Sequence, residues 1–251
     1  MKKWIAACLA GLLLLGTTAC GGGLSQEDAR IYVRGLLDET YRGSCDKDYL
    51  LLVDTTKEAV LSAYEASLEV EYRYFSENFR FDEERITEET RAEALEVIAD
   101  LYSHARYDVS TPFRSAEEFV VEVSVQPYDL PAVIHEEHMA AYITAFQEKY
   151  AYMTEAALAA KSMQEQEAFW TSYENDWAKG ILDLFRTHAA QGSHLPAQRV
   201  LVRLTKDASG YYAMGDNDFS NLDSLILAYT RPISQEAMPT LPSGETQTLP
   251  E

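Results

Sequence analysis

Residues 135–138, His135-Glu136-Glu137-His138, form the tightest local group of metal-binding side chains in this sequence. Positions i and i+3 of a helix share a face, so both imidazoles would reach one divalent metal ion. The pattern is not the H-E-x-x-H of zinc proteases, whose second histidine would stand at Met139. A third ligand has to come from elsewhere, either a carboxylate or His104, His188 or His194. On this reading the chain is a metal-binding protein or a metal-dependent hydrolase. The opposing reading is a solvated polar face in the first turns of a helix. Trp170, Tyr173 and Trp177 make a second constellation on one helical face, suited to stacking a sugar or a drug-like ring, or simply to core packing.

Other chemical motifs are incomplete. Ser44-Cys45-Asp46-Lys47 has the S-x-x-K spacing of penicillin-binding proteins, with no S-D-N or K-T-G partner. Asp216-Asn217-Asp218 begins like a calcium loop but lacks its glycine and closing glutamate, and reads better as a turn capping the last helix. His104 and His188 each end an amphipathic stretch, where a partly charged ring suits the helix dipole. Cys45 lies between two helical patterns and reads as an inert, partly buried thiol. No Walker loop, G-x-S-x-G elbow or dinucleotide fingerprint occurs. The sequence therefore reads as a binding protein rather than an enzyme.

Hydrophobic spacing supplies the elements that must position these residues. Ser25 opens a helix with Ala29, Val33, Leu36, Leu37 and Tyr41 on its apolar face, stopped by Gly43. A short helix over 46–53 follows. Thr55-Thr56-Lys57-Glu58 is a capping box for the stripe Leu61, Tyr64, Leu68, Tyr72, Phe75, Phe79. Thr87 starts a helix carrying Leu95, Ile98, Leu101 and Tyr102. Tyr107, Val109, Thr111 and Phe113 then alternate, as do Val121, Val123 and Val125, predicting a hairpin closed by Pro127 and Pro131. Pro131 begins a helix with Met139, Ile143, Phe146, Tyr150 and Met153. A further helix carries Trp170, Trp177, Ile181, Leu184, Phe185 and His188. Val200, Val202 and Leu204 turn through 207–210 into Tyr211-Tyr212-Ala213-Met214, and a last helix is expected over 219–229.

This order predicts an α+β fold, mainly helical, with about six helices and two β-hairpins. The hairpins would join in one four-stranded antiparallel sheet with helices on one face. Residues 25–230 form the domain, with candidate halves 25–130 and 131–230. Both halves carry faintly similar wording, Asp100-Leu101-Tyr102-Ser103-His104-Ala105 against Asp183-Leu184-Phe185-Arg186-Thr187-His188-Ala189. An internal duplication or coincidence between amphipathic helices would each produce this. Residues 231–251 hold four of the eight prolines and read as a disordered tail.

The N-terminus gives an address. Lys2 and Lys3 precede an apolar run over 4–15, then Gly16-Thr17-Thr18-Ala19-Cys20 and three glycines. That is a signal peptide over 1–19, too short to span a bilayer permanently. Cysteine directly after it resembles the lipobox of bacterial lipoproteins. The resemblance implies cleavage before Cys20, acylation of its thiol and amine (palmitate among the chains), and tethering on the extracytoplasmic face through a tether over 20–24. Thr17 stands where that family usually has leucine. Thr17-x-Ala19 also suits ordinary signal peptidase, which would leave Cys20 unlipidated.

Charge narrows the partners. The chain has 41 acidic and 21 basic residues; losing the two signal lysines leaves 19 basic residues and a formal charge of −22. Nucleic acid is excluded as a partner by repulsion from phosphate. Of three cysteines, Cys8 leaves with the signal and Cys20 is committed to lipid, so Cys45 stands alone and the fold holds without internal disulfides.

Across most of the mature sequence the chain also resembles a group of helical extracytoplasmic lipoproteins of Gram-positive bacteria. The features carrying this are the Cys20-Gly21 start, Tyr41-Arg42-Gly43, Glu69-Val70-Glu71-Tyr72 with Tyr74-Phe75, and Tyr102-Ser103-His104. Val121-Glu122-Val123 running to Pro127, Lys206-Asp207 with Gly210-Tyr211, and Asp218-Phe219 complete the likeness. It implies an address and an architecture, and no chemistry. The expectation is a non-enzymatic, membrane-anchored lipoprotein of the cell envelope that binds a small ligand or protein partner.

Overall fold

Capping chemistry sets where the helices begin and end. The computed structural model describes residues 24–206 and 212–231; the signal peptide expected over 1–19, Cys20, the turn expected through 207–210 and all but the first residue of the tail expected over 231–251 lie outside the described residues. Helix α1 (Gln26–Arg42) starts at a reciprocal box in which Ser25 and Asp28 satisfy each other's backbone N–H, and stops at Gly43 in the left-handed conformation. After α2 (Lys47–Leu52), helix α3 (Lys57–Phe79) is capped by Thr56, whose hydroxyl accepts from the Ala59 N–H. The cap therefore falls one residue later than the Thr55 box predicts. Leu61 turns outward to solvent and its neighbour Val60 is buried in its place, ahead of the partly buried Tyr64 and Leu68. Helix α4 (Glu88–Ser103) is capped by Thr87.

The hairpins do join in one antiparallel sheet. The predicted first strand is split into β1 (Arg106–Val109) and β2 (Phe113–Ser115), and both pair with β3 (Glu118–Gln126). Pro112 explains the break, since it has no N–H for the ladder; Ser110 bridges it by donating its own N–H to the Glu122 carbonyl. Strands β4 (Gln198–Lys206) and β5 (Tyr212–Met214) form the second hairpin, and the sheet order is β1-β3-β4-β5. Seven residue pairs, from Phe119↔Leu204 to Val125↔Gln198, hold β3 against β4. Phe119, Val121, Val123 and Val125 face the core with Val202 and Leu204, whereas Arg199, Leu201 and Arg203 face solvent. The halves are not copies in their strands: the long strand is second in one hairpin and first in the other.

Helix α1 lies on the inner face of this sheet, and its Arg34 and Arg42 guard the sheet's edge. Both pair with Asp38, at 3.0 and 2.9 Å, and donate to the Tyr107 and Ala105 carbonyls beside β1. An edge strand capped this way is a poor template for pairing with another chain.

The second half departs more from expectation. Helix α5 (Leu130–Val133), a π-helical turn (Ile134–His138) and α6 (Met139–Tyr150) run on from one another, so the predicted single helix is locally underwound. Short α7 (Glu155–Ala159) precedes the long α8 (Met163–His188). The last helix, α9 (Asp216–Asp223), ends well before residue 229. Its expected continuation instead pairs with Tyr128, which donates to the Ile226 carbonyl and accepts from the Ala228 N–H at 3.0 and 2.8 Å. That route buries Ile226 and Leu227.

One close approach tests the α1–α2 packing. A Cβ at Gly35 would stand 2.0 Å from the Tyr49 ring, which is fully buried and held by its hydroxyl to Glu39 at 2.5 Å. Overpacking costs about 1–3 kcal/mol, against the roughly 1 kcal/mol that alanine gains in a helix. Gly35→Ala should therefore lower the unfolding free energy, by up to about 2 kcal/mol, in urea denaturation. A stabilised variant would show that Tyr49 has room to move.

A phenol-and-carboxylate cleft as the candidate functional site

The structure disperses the histidines. His138 stacks on His188 from the end of α8, ring centroids 3.6 Å apart and planes 14° from parallel, while its Nε2 bonds Gln191 at 2.8 Å. A metal must lie in the plane of each imidazole that binds it, so two parallel stacked rings cannot share one ion. His135 sits against Phe79, its ring centroid 6.4 Å away. The underwound turn breaks the i, i+3 alignment on which the metal reading depends. His104 stacks on Tyr128, and its carbonyl accepts from His194 Nε2 at 2.8 Å. Among the described residues no three His, Cys, Asp or Glu side chains gather to hold a metal.

The tryptophans pack α6 against α8. Trp177 donates its indole N–H to the Phe79 carbonyl at 2.9 Å, satisfying one of the open carbonyls at the end of α3. Phe146 meets Tyr173 and Trp177 edge-on at 4.9 and 5.1 Å, filling the space a stacked ligand ring would need. Trp170 is half-exposed further out and caps Tyr173. Cys45 is partly buried against the core, and burial first, then nearby Glu39, raises its thiol pKa. Asp218 does not cap the last helix; its carboxylate accepts the Arg203 N–H at 2.7 Å and ties α9 to β4.

A cleft of about 380 Å³ opens where α3, the end of α4, α9 and the closing segment 224–231 meet. Glu71, Tyr74 and Asn78 line it from α3, Tyr102 from α4, and Asp223 from α9. Glu71 stands within an apolar stripe, three residues after Leu68 and four before Phe75, and so is carried inward. It is 8% exposed and accepts from Tyr229 at 2.5 Å on one oxygen and from Tyr102 at 3.3 Å on the other. Tyr41, fully buried on α1, donates to Asp223 at 2.8 Å and meets the Tyr102 ring edge-on at 5.1 Å. Tyr74 and Tyr229 meet edge-to-face at 4.9 Å. One network thus joins α1, α3, α4, α9 and the closing segment.

Arg231 fastens the end of that segment. Its guanidinium lies 3.3 Å from Asp129, 3.8 Å from Glu136 and 2.9 Å from Glu137, with Asp129 nearly buried. Asp129 in turn accepts the Ser193 N–H at 2.6 Å. The π-helical turn therefore presents its acidic pair to the strap rather than its histidines to a metal.

No protein-family model matches the sequence, and no curated protein matches it significantly. Among solved structures the chain is similar to a candidate lipoprotein, ycdA, from Bacillus subtilis subsp. subtilis strain 168, with 11% identity and a TM-score of 0.48 over 80% of this chain. The chain spans 56% of the length of that structure.

Sequence reasoning passed over Glu71, Tyr102, Asp223 and Tyr229. The available signal was an acid on the core face of α3, inside the Glu69-Val70-Glu71-Tyr72 wording. Burial is the main cause that holds the Tyr41, Tyr102 and Tyr229 phenols well above their ordinary pKa; the charges of Asp223 and Glu71 add to it. Their contribution to stability is complete below about pH 10, the unfolded value, and is lost as pH climbs towards the folded values. Unfolding titrations from pH 8 upward should show stability falling above about pH 10. Tyr102→Phe, which gives up the longest of the three bonds, should make that fall shallower; an unchanged slope would mean Tyr102 ionises freely.

Proposed function

We propose that this chain is a lipid-tethered extracytoplasmic binding protein that holds a small ligand in the cleft between α3, α4 and the closing segment, without catalysing a reaction. The cleft carries this reading. Its volume lies in the range of small-molecule sites, and it combines apolar wall from Pro127, Leu195, Leu225 and Leu227 with a few convergent polar groups. A non-catalytic role is supported by the phenols: raised far from neutrality, they serve as fixed hydrogen-bond donors and not as acids or bases. The address is supported by the signal peptide and the cysteine that follows it. Cys20 is the lipid attachment point, with the membrane as partner through the acyl chains.

Two measurements test the two parts. Expressed in a bacterial host, the full chain should fractionate with membranes and carry acyl mass on Cys20, and Cys20→Ala should release it; a soluble full-length product ends the anchoring claim. Native mass spectrometry of the mature chain, starting at position 20 with Cys20→Ser, should show a bound small molecule. Asn78→Trp, which puts a large side chain into the cleft wall, should abolish that extra mass while leaving the thermal midpoint within a few degrees. Retention of the extra mass by this variant would move the site elsewhere.

A further inference from the structure

We infer that the outer face of the sheet is a second membrane contact, resting on anionic lipid headgroups beside the tether. This relies on the reading of the chain as lipid-tethered at Cys20, and adds which face of the folded domain meets the bilayer.

Among the described residues the helices leave this face bare. Alternation along the strands turns Arg106 and Asp108 of β1, Phe113 of β2, and Arg199, Leu201 and Arg203 of β4 away from the core. Phe113 and Leu201 are 55% and 52% exposed. Val120 pairs with Phe113 on one side and Arg203 on the other, and is buried apart from the main core. The result is a shallow apolar strip flanked by arginines.

Charge is divided between the two sides of the molecule. The five strands hold five basic residues and three acidic ones, a net of +2 in a mature chain of −22, so all the rest carries −24. On the outer face Arg106, Arg199 and Arg203 stand against Asp108 and Glu122, the last held 3.7 Å from Arg199. Glu117 and Glu118 lie at the β2–β3 turn, where Arg114 and Lys206 offset them. The acid-rich α3 and α4 pack behind α1, at least one helix diameter of about 10 Å from the sheet. Physiological salt screens charge over about 8 Å, so headgroups at the outer face meet the arginines and not the bulk of the acids. Arginine close to an anionic bilayer is drawn to it, and Phe113 and Leu201 suit the boundary between headgroups and acyl chains.

The tether ends beside this face. Arg42 of α1 reaches the Ala105 carbonyl and Arg34 the Tyr107 carbonyl. Tyr32 bonds the backbone of Met214, which shares a row with Leu204, Phe119 and Arg114. Followed backwards, α1 therefore starts at the sheet end that carries β2 and Phe113. Leu24 packs into the core and follows Cys20 by four positions, a reach of at most about 14 Å. A lipid on Cys20 thus holds that end of the sheet at the bilayer, and the local concentration a short tether supplies lets a weak surface contact form.

The test joins the chain from Gly21 onward, in a Cys45→Ser background, through its N-terminal glycine to a dipalmitoyl peptide, so tethering does not depend on acylation in a cell. The product is reconstituted in phosphatidylcholine vesicles with about one-third phosphatidylglycerol as the anionic component. A fluorophore is placed on Leu201→Cys or, as the control, on Leu61→Cys, an exposed position of α3. Nitroxide at the lipid headgroups should quench the label at position 201 several-fold more than the label at position 61. Arg199→Glu with Arg203→Glu, high salt, or phosphatidylcholine alone should each remove that difference with an unchanged circular dichroism spectrum. Should the double variant fail to fold, the salt and lipid dependence decide. Equal quenching at the two positions, or a difference indifferent to salt and lipid charge, would overturn the inference. So would a dimer in sedimentation that Leu201→Glu returns to monomer, which gives the face to a second copy. Docking by this chain, while the full-length protein made in a bacterial host carries no acyl mass, would support the face and end the tether reading. An acylated host product whose label at position 201 stays unquenched would keep the tether and overturn the docking face.

Discussion

The pairing of β3 with β4 is the contact on which the rest of the structure depends. It joins residues 119–125 to 198–204 through seven register pairs, across a chain separation of about eighty residues. Loop closure over that span costs entropy that only a long, buried ladder recovers. Val121, Val123, Val125 and Val202 recover it, each fully buried on the inner face. Once this ladder forms, Tyr128 just after β3 and His194 just before β4 face each other, and Tyr128 receives the 226–228 segment as a further rung. The cleft's outer wall exists only because that rung is made.

The cleft is then fixed by how buried carboxylates must be satisfied. Hiding Glu71 on the core side of α3 is costly unless its oxygens are hydrogen-bonded. The two described donors come from α4 and from the closing segment, so the carboxylate pins three separate pieces of chain together. Asp223 does the same for α9 through Tyr41 of α1. Networks of this type hold their geometry because each member's alternative is an unsatisfied buried group. The same rigidity that steadies the fold gives the cleft a defined wall.

The histidines and tryptophans show how a promising pattern is used up by packing. His138 and His188 are brought together, though face to face, which is the one arrangement that prevents shared ligation. Trp177 spends its only donor on the end of α3, and Phe146 fills the gap between its ring and Tyr173. Gly180 allows this helix pair to close, since any Cβ there would stand 2.2 Å from the Tyr142 hydroxyl. What reaches solvent from this aromatic seam is its outer end, at Trp170 and Tyr152.

By itself the sequence determined the starts of the first, third and fourth helices to within a residue, and the two hairpins. These are local matters: a 3.6-residue or two-residue apolar period and a Ser or Thr ahead of an apolar run are readable in a short window. It also determined the N-terminal pattern from which the address is argued. Tertiary structure decided what windows cannot hold. At the π-helical turn Ile134 is buried, and Glu136 and Glu137 meet Arg231, about ninety-five positions away. Past the end of α9 the chain bonds instead to Tyr128, also about a hundred residues distant, and Ile226 and Leu227 are buried there. Glu71 looks in the sequence like one acid among 41. Only the folded chain brings Tyr102 and Tyr229 to it, from 31 and 158 residues away, because an inward carboxylate is tolerable only where donors from distant segments converge on it.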